Sequence, residues 1–166
     1  YSIGHGVENI DAAISSPVVA WESTSSQPYV QFGMHEVADS VTVQKNITLR
    51  NLSDTAQTYE VSFKMVGDKA AHAALTLSLP ESVSIPAHSS VVIPVTMMVD
   101  GSKLPQWPLV MTTDHVDEKL KATELNGYIS LVSEGNPELN LGWMIKARNN
   151  TTITKRPNAI EFPTYL

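Results

Sequence analysis

Apolar residues recur at every second position through most of this chain, and that spacing restricts it to strands. Tyr59, Val61, Phe63 and Met65 alternate with Glu60, Ser62 and Lys64. A period of two places the first set on one face of an extended backbone and the second on the other, so the segment reads as a half-buried strand. Val41, Val43, Ile47 and Leu49 repeat the pattern, with Gln44, Asn46 and Thr48 opposite. Lys45 interrupts that apolar row, which points to a sheet edge, a bulge or a stem lying along the core while its ammonium reaches water. Further rows are Leu75, Leu77 and Leu79; Val91, Ile93, Val95, Met97 and Val99; Ile129 and Leu131; and Leu139, Leu141, Trp143 and Ile145. Shorter candidates lie at Val18–Trp21, Tyr29–Phe32, Val83–Ile85 and Trp107–Met111.

Turn residues punctuate these rows at Asn51-Leu52-Ser53-Asp54, Gly67-Asp68, Pro80, Pro86-Ala87-His88-Ser89, Asp100-Gly101-Ser102 and Gly135-Asn136-Pro137. Gly and Pro set the special dihedrals of turns, and Asn, Asp and Ser bond their own backbone there. Many strands separated in this way predict an all-β sandwich or barrel; the uneven strand lengths favour a Greek-key sandwich. Two stretches depart from the pattern. Asn9–Ile14 predicts a short helix capped by Asn9. Asp114–Thr123, with Val116 and Leu120 four apart amid charges, predicts a short helical or loop insertion.

A chain of 166 residues with 42% hydrophobic residues suits one domain with a true core. It holds no Cys, which excludes a disulfide scaffold, a zinc–thiolate site and a cysteine nucleophile. The net charge of −6 argues against nucleic acid as a partner, since phosphate binding needs a basic patch. No run approaches the roughly 20 apolar residues of a membrane span. The first residue is Tyr1 rather than Met, so the chain reads as an excised or processed piece.

The chemistry-bearing residues form no recognisable catalytic set. No Gly-x-Ser-x-Gly elbow occurs, and His5, His35, His72, His88 and His115 read as loop or surface histidines. His35-Glu36 begins like a zinc-protease motif, but Asp39 stands where the second His is required. Asp114, His115, Asp117 and Glu118 are the densest group of possible metal ligands; a solvated face is the plainer reading, and calcium the cation such oxygens would suit. Gly4-His5-Gly6 is too short for a phosphate loop. No catalytic, cofactor or metal residue is therefore assigned. Asn46-Ile47-Thr48, Asn51-Leu52-Ser53, Asn149-Asn150-Thr151 and Asn150-Thr151-Thr152 match the N-glycosylation pattern, with Asn46 expected on a solvent face and Asn51 in a turn open to sugar. Trp21 and Trp107 are candidates for an exposed aromatic platform, whereas Trp143 continues a core row.

Gly4-His5-Gly6-Val7-Glu8-Asn9-Ile10-Asp11-Ala12-Ala13-Ile14, leading into Pro17-Val18, resembles the segment that closes the catalytic domain of subtilisin-like serine proteases. The chain after it is similar to the fibronectin type III-like domain of large secreted subtilases. The likeness is carried by Val30-Gln31-Phe32-Gly33, the strand into Leu49-Arg50-Asn51-Leu52-Ser53, and Tyr59-Glu60-Val61. It continues through Pro86-Ala87-His88-Ser89 before Val91–Met97, Gly127-Tyr128-Ile129-Ser130-Leu131, and Leu139-Asn140-Leu141. Gly142-Trp143 stands where that family tends to carry a Pro, and the connection from Leu104 to Glu124 is long.

The resemblance implies an immunoglobulin/fibronectin type III-like Greek-key sandwich at 17–147, preceded at 1–16 by a remnant of a subtilase catalytic domain or a linker and succeeded at 148–166 by an extension or linker. It implies a secreted or cell-surface, bacterial, non-catalytic accessory domain without a cofactor, whose partner is the catalytic domain of the same polypeptide. Its expected role is to stabilise or position that domain. Docking of protein or peptide substrate is a second expectation, and the Val41–Asn51 strand is an edge candidate for strand addition. The alternative is a stand-alone extracellular binding or adhesion module.

Overall fold

The computed structural model describes residues 9–67, 70–105 and 124–149. One helix, α1 (Ile10–Ser15), precedes nine strands: β1 (Val18–Glu22), β2 (Tyr29–Val37), β3 (Ser40–Asn51), β4 (Gln57–Met65), β5 (Leu75–Ser78), β6 (Ser82–Ile85), β7 (Ser90–Asp100), β8 (Glu124–Val132) and β9 (Leu139–Asn149). They form a sheet ordered β1-β3-β7-β5 and a second ordered β2-β9-β8-β4-β6. All neighbours are antiparallel except β2 and β9, which run parallel. From β1 to β8 each successive strand lies in the opposite sheet, and only β8 and β9 are consecutive neighbours in one sheet. This is the all-β Greek-key sandwich that the alternation predicts. The candidates Trp107–Met111 and Asp114–Thr123, and the extension beyond Asn149, lie outside the described residues.

The apolar rows become the two inner faces. Ile47, Leu49, Val95, Met97 and Val99 face Tyr59, Ile129, Leu131, Trp143 and Ile145, all completely buried. Trp143 stacks at a tilt on Phe63, with ring centroids 5.5 Å apart. Its β8 partner is Gly127, where a side chain would fall on the Lys64 carbonyl and 2.7 Å from Trp143 Cζ2. The indole therefore occupies the space that Gly127 leaves empty. Tyr59 OH and Trp143 Nε1 are buried with no hydrogen-bond partner among the described residues, and burial pushes the Tyr59 phenol above its ordinary range.

Irregular positions trace to single residues. The β2–β9 register slips between Gln31 and Gly33, where Gly33 has φ +92 and the His35 ring nitrogen Nε2 lies 2.7 Å from the Phe32 carbonyl oxygen. A left-handed glycine at an extra residue is the mark of a bulge. Pro94 sits within β7 opposite Asn46, whose carbonyl points away from β7 to accept Ser23 N–H at 2.9 Å. The Pro94 nitrogen consequently faces the other side, where β5 covers only Thr96–Val99 and no N–H is needed.

Lys45 marks an edge. The β3–β7 register runs unbroken from Ser40 to Arg50, which excludes a bulge there, but β1 pairs only with Ile47–Asn51. The edge candidate Val41–Asn51 is therefore narrowed: Ile47–Asn51 pairs with β1 and is internal, and among the described residues no strand lies on that side of the first half of β3. β1 ends because Glu22 turns the chain away. Its Oε2 accepts Ser25 N–H at 2.6 Å, and Ser26 N–H reaches the Glu22 carbonyl at 2.9 Å with φ +58 at Ser26.

Candidate docking end of the sandwich

One end of the sandwich gathers the β3–β4, β6–β7 and β8–β9 turns, with α1 entering beside them. Asn51, the last residue of β3, is completely buried. Its Nδ2 donates to the carbonyls of Thr55 at 2.7 Å, Ile85 at 3.1 Å and Pro86 at 3.2 Å. Its Oδ1 accepts Ser53 N–H at 2.9 Å and the Ser53 hydroxyl at 2.8 Å. One amide thus satisfies main-chain groups of two turns that the sheets leave unpaired.

Neighbouring side chains extend the network. Gln57 Nε2 donates to Ser53 Oγ at 3.1 Å and Thr55 Oγ1 at 3.0 Å, while its Oε1 accepts Asn136 Nδ2 at 3.0 Å. That last bond ties in the β8–β9 turn. Deeper in, the Ser130 hydroxyl donates to Glu138 Oε1 and lies 2.9 Å from Asn140 Oδ1. The Ser130 hydroxyl, then the Lys64 charge and the Asn140 amide, hold the Glu138 carboxyl below its ordinary range against the opposing effect of burial. At the rim, His88, with φ +54, places Nε2 2.7 Å from Asp54 Oδ1 in an exposed pair.

The N-terminal connection is fastened to this end. Leu52 N–H donates to the Pro17 carbonyl at 2.8 Å, and Ser16 Oγ to the Val18 carbonyl at 2.7 Å. Asn9 caps α1 as its sequence predicts, with Oδ1 accepting Ala12 N–H at 3.0 Å. α1 has no buried residue: Ile10 and Ile14 are 66% and 80% exposed, and Leu52 beside the connection is 52% exposed. Residues four apart share a helix face, so Ile10 and Ile14 form a short exposed apolar stripe next to this polar network in the chain.

The fold scatters the chemistry-bearing residues rather than gathering them. His35 props the β2 bulge, His72 lies in the 3₁₀ turn Ala70–Ala74, and His88 caps the rim of the docking end. His5 and the Asp114, His115, Asp117 and Glu118 group lie outside the described residues. Among the described residues no three His, Asp or Glu side chains converge as metal ligands. Nor is any helix among them long and apolar enough to cross a membrane. Asn46 is exposed as expected, but Asn51 is not: its amide is buried and fully engaged, so a folded chain cannot bear sugar there. Trp21 is half-buried and Trp143 lies inside the core, so these two form no common platform. Glu22 is a buried carboxylate that no local sequence signal reveals. Burial raises its pKa, but the Ser25 hydroxyl and N–H, the Thr24 N–H and the charge of Lys45 outweigh that and hold it below the ordinary range.

No family profile matches the sequence, and no curated protein matches it. Solved structures do. A family 123 glycoside hydrolase from Clostridium perfringens superposes with TM-score 0.51 at 8% identity, over 81% of this chain and 27% of that one. A PapD-like domain of human CEP192 matches with TM-score 0.45 at 14% identity, over 90% of this chain and 96% of that one. A FixG-related protein from Vibrio parahaemolyticus matches with TM-score 0.45 at 9% identity, over 78% and 94%. At such identities the likeness concerns the fold alone. The chain is an immunoglobulin-like Greek-key β-sandwich.

Proposed function

We propose that this sandwich is a non-catalytic accessory module of a secreted subtilisin-like serine protease, docked through α1 and the adjoining loop end onto the catalytic domain before it. One observation carries the reading: a helix whose two isoleucines are 66% and 80% exposed leads through Pro17 into an end of the sandwich that side-chain hydrogen bonds crosslink. Neighbouring exposed isoleucines on one helix face offer an apolar surface that a partner can cover. The resemblance of Gly4–Ile14 to a subtilase closing segment supports a catalytic domain as that cover. The module's contribution is mechanical. Asn51, Gln57 and Asn136 make the base stiff, so a domain resting on α1 and Leu52 is held in one orientation.

The test is made in the intact natural polypeptide. Replacing Ile10 and Ile14 by Asp removes the stripe without touching the sandwich core. The expected result is earlier thermal inactivation of the protease with the sandwich still folded. Unchanged inactivation and unchanged cleavage would overturn the reading.

A further inference from the structure

We infer that the open half-edge of β3, Ser40–Lys45, takes an extended peptide from another polypeptide as an added antiparallel strand in line with β1, and that it selects a peptide with an acidic residue opposite Lys45. This edge site does not depend on the identity of any preceding domain.

In an antiparallel strand the N–H and C=O of one residue point to the same side, and alternate residues point to opposite sides. Asn46 bonds toward β1, through its carbonyl and Ser23 N–H at 2.9 Å. Gln44 and Thr42 have the same parity, so their main-chain groups face the same side. There β1 has already ended, its last register pair being Glu22 with Ile47. No described residue bonds that side of Thr42 or Gln44, and both side chains are exposed. The unpaired groups are a template for a further strand.

The inner row of this half-edge sets what fits. Val41 and Val43 are half-buried against the core and would be covered by two apolar side chains of an incoming strand. Lys45 is half-buried in the same row; its charge acts on Glu22, but it forms no close ion pair among the described residues. Glu22 Oε2 accepts the Ser25 N–H and Oε1 is buried without a hydrogen-bond partner among the described residues, yet no ion pair between Glu22 and Lys45 closes, so the ammonium can meet a second carboxylate. An inward-pointing charge at an edge repels an apolar strand and so guards against indiscriminate pairing. It becomes a selector when the arriving strand brings the opposite charge. A strand continuing the direction of β1 meets Lys45, Val43 and Val41 in that order, so the peptide reads acidic-x-apolar-x-apolar from its N-terminus. A second copy of this edge does not qualify: Ser40-Val41-Thr42-Val43-Gln44-Lys45 carries no carboxylate.

The probe is the blocked peptide Glu-Thr-Val-Thr-Val-Ser, which begins opposite Lys45 because Ser23 already lies opposite Asn46, with a control in which Lys replaces Glu, each added to the isotope-labelled 166-residue chain. Amide exchange at Thr42 and Gln44 is expected to slow on binding, with the control at least ~10-fold weaker, since a like charge facing Lys45 is penalised. Lys45→Glu should reverse the preference, and the milder Lys45→Gln should abolish it while the fold is retained. Absence of protection at both amides would overturn the inference. So would binding indifferent to Lys45→Gln, or protection already present from self-association without peptide.

Discussion

Replacing Asn51 by Ala tests whether the candidate docking end of the sandwich is held by a single amide. The substitution leaves the buried Ile85 carbonyl without the donor at 3.1 Å and Ser53 N–H without the acceptor at 2.9 Å. Each group stranded away from water costs about 1–3 kcal/mol. Of these groups only the Ile85 carbonyl is fully stranded; the Ser53 N–H and the Thr55 and Pro86 carbonyls lose part-buried bonds, which cost about 0.5–1.5 kcal/mol each. The expected loss is therefore about 3–5 kcal/mol, out of a total of about 5–15 kcal/mol for an ordinary domain. At roughly 2–4 °C per kcal/mol, the midpoint of thermal unfolding should fall by roughly 6–20 °C. Urea unfolding with tryptophan emission as the signal reads it directly, because Trp143 reports on the core. Asn51→Asp keeps the acceptor but turns a carboxylate oxygen toward three carbonyls, so it should be at least as damaging at neutral pH and recover in part when protonated. A loss below about 0.5 kcal/mol for Asn51→Ala, less than a typical single hydrogen bond, would show that the turns hold themselves and would refute this reasoning.

Gly127→Ala sets a methyl group against the Lys64 carbonyl and the Trp143 indole, so overpacking should cost about 3 kcal/mol or more, read by urea denaturation. Glu22 and Glu138, and Asp100 through the Ser102 hydroxyl and the Lys103 ammonium, have pKa values lowered from 4.5, 4.5 and 3.8, and a group depressed in the folded state adds stability above its unfolded value. Stability should therefore fall as pH drops through and below that range, and Glu22→Gln should make the fall shallower in a series of urea midpoints. Made in a eukaryotic secretory pathway, the folded fraction should carry no sugar on Asn51, as peptide mass spectrometry would show, because its amide is wholly buried.

The strands were legible because burial of one sheet face writes itself into every second residue. Val91, Ile93, Val95, Met97 and Val99 form one row in the sequence and one inner face in the fold. The cap at Asn9 was legible for a local reason too, since it bonds a residue only three positions on. What stayed hidden depends on long-range partners. Nothing local distinguishes the parallel pairing of β2 with β9 from an antiparallel one. β5 and β6 are separated by a short turn yet join different sheets. Asn51 reads as an exposed turn residue until the carbonyls of Ile85 and Pro86, more than thirty positions away, come into range. Gly33 was a signal within reach, since a glycine inside an alternating row often marks a bulge. The candidate docking end was half legible: its helix by its pattern, its crosslinks only through long-range bonds such as that of Asn136 to Gln57.

Whether α1 belongs against a protease catalytic domain is tested most directly by the in-frame coding sequence immediately before Tyr1. The predicted result is a signal peptide, then Asp, His and Gly-Thr-Ser motifs in subtilase order, running into Gly4-His5-Gly6 without a break. A signal-peptide cleavage site or an initiator Met directly before Tyr1 would contradict it and leave the exposed isoleucines to a stand-alone binding module.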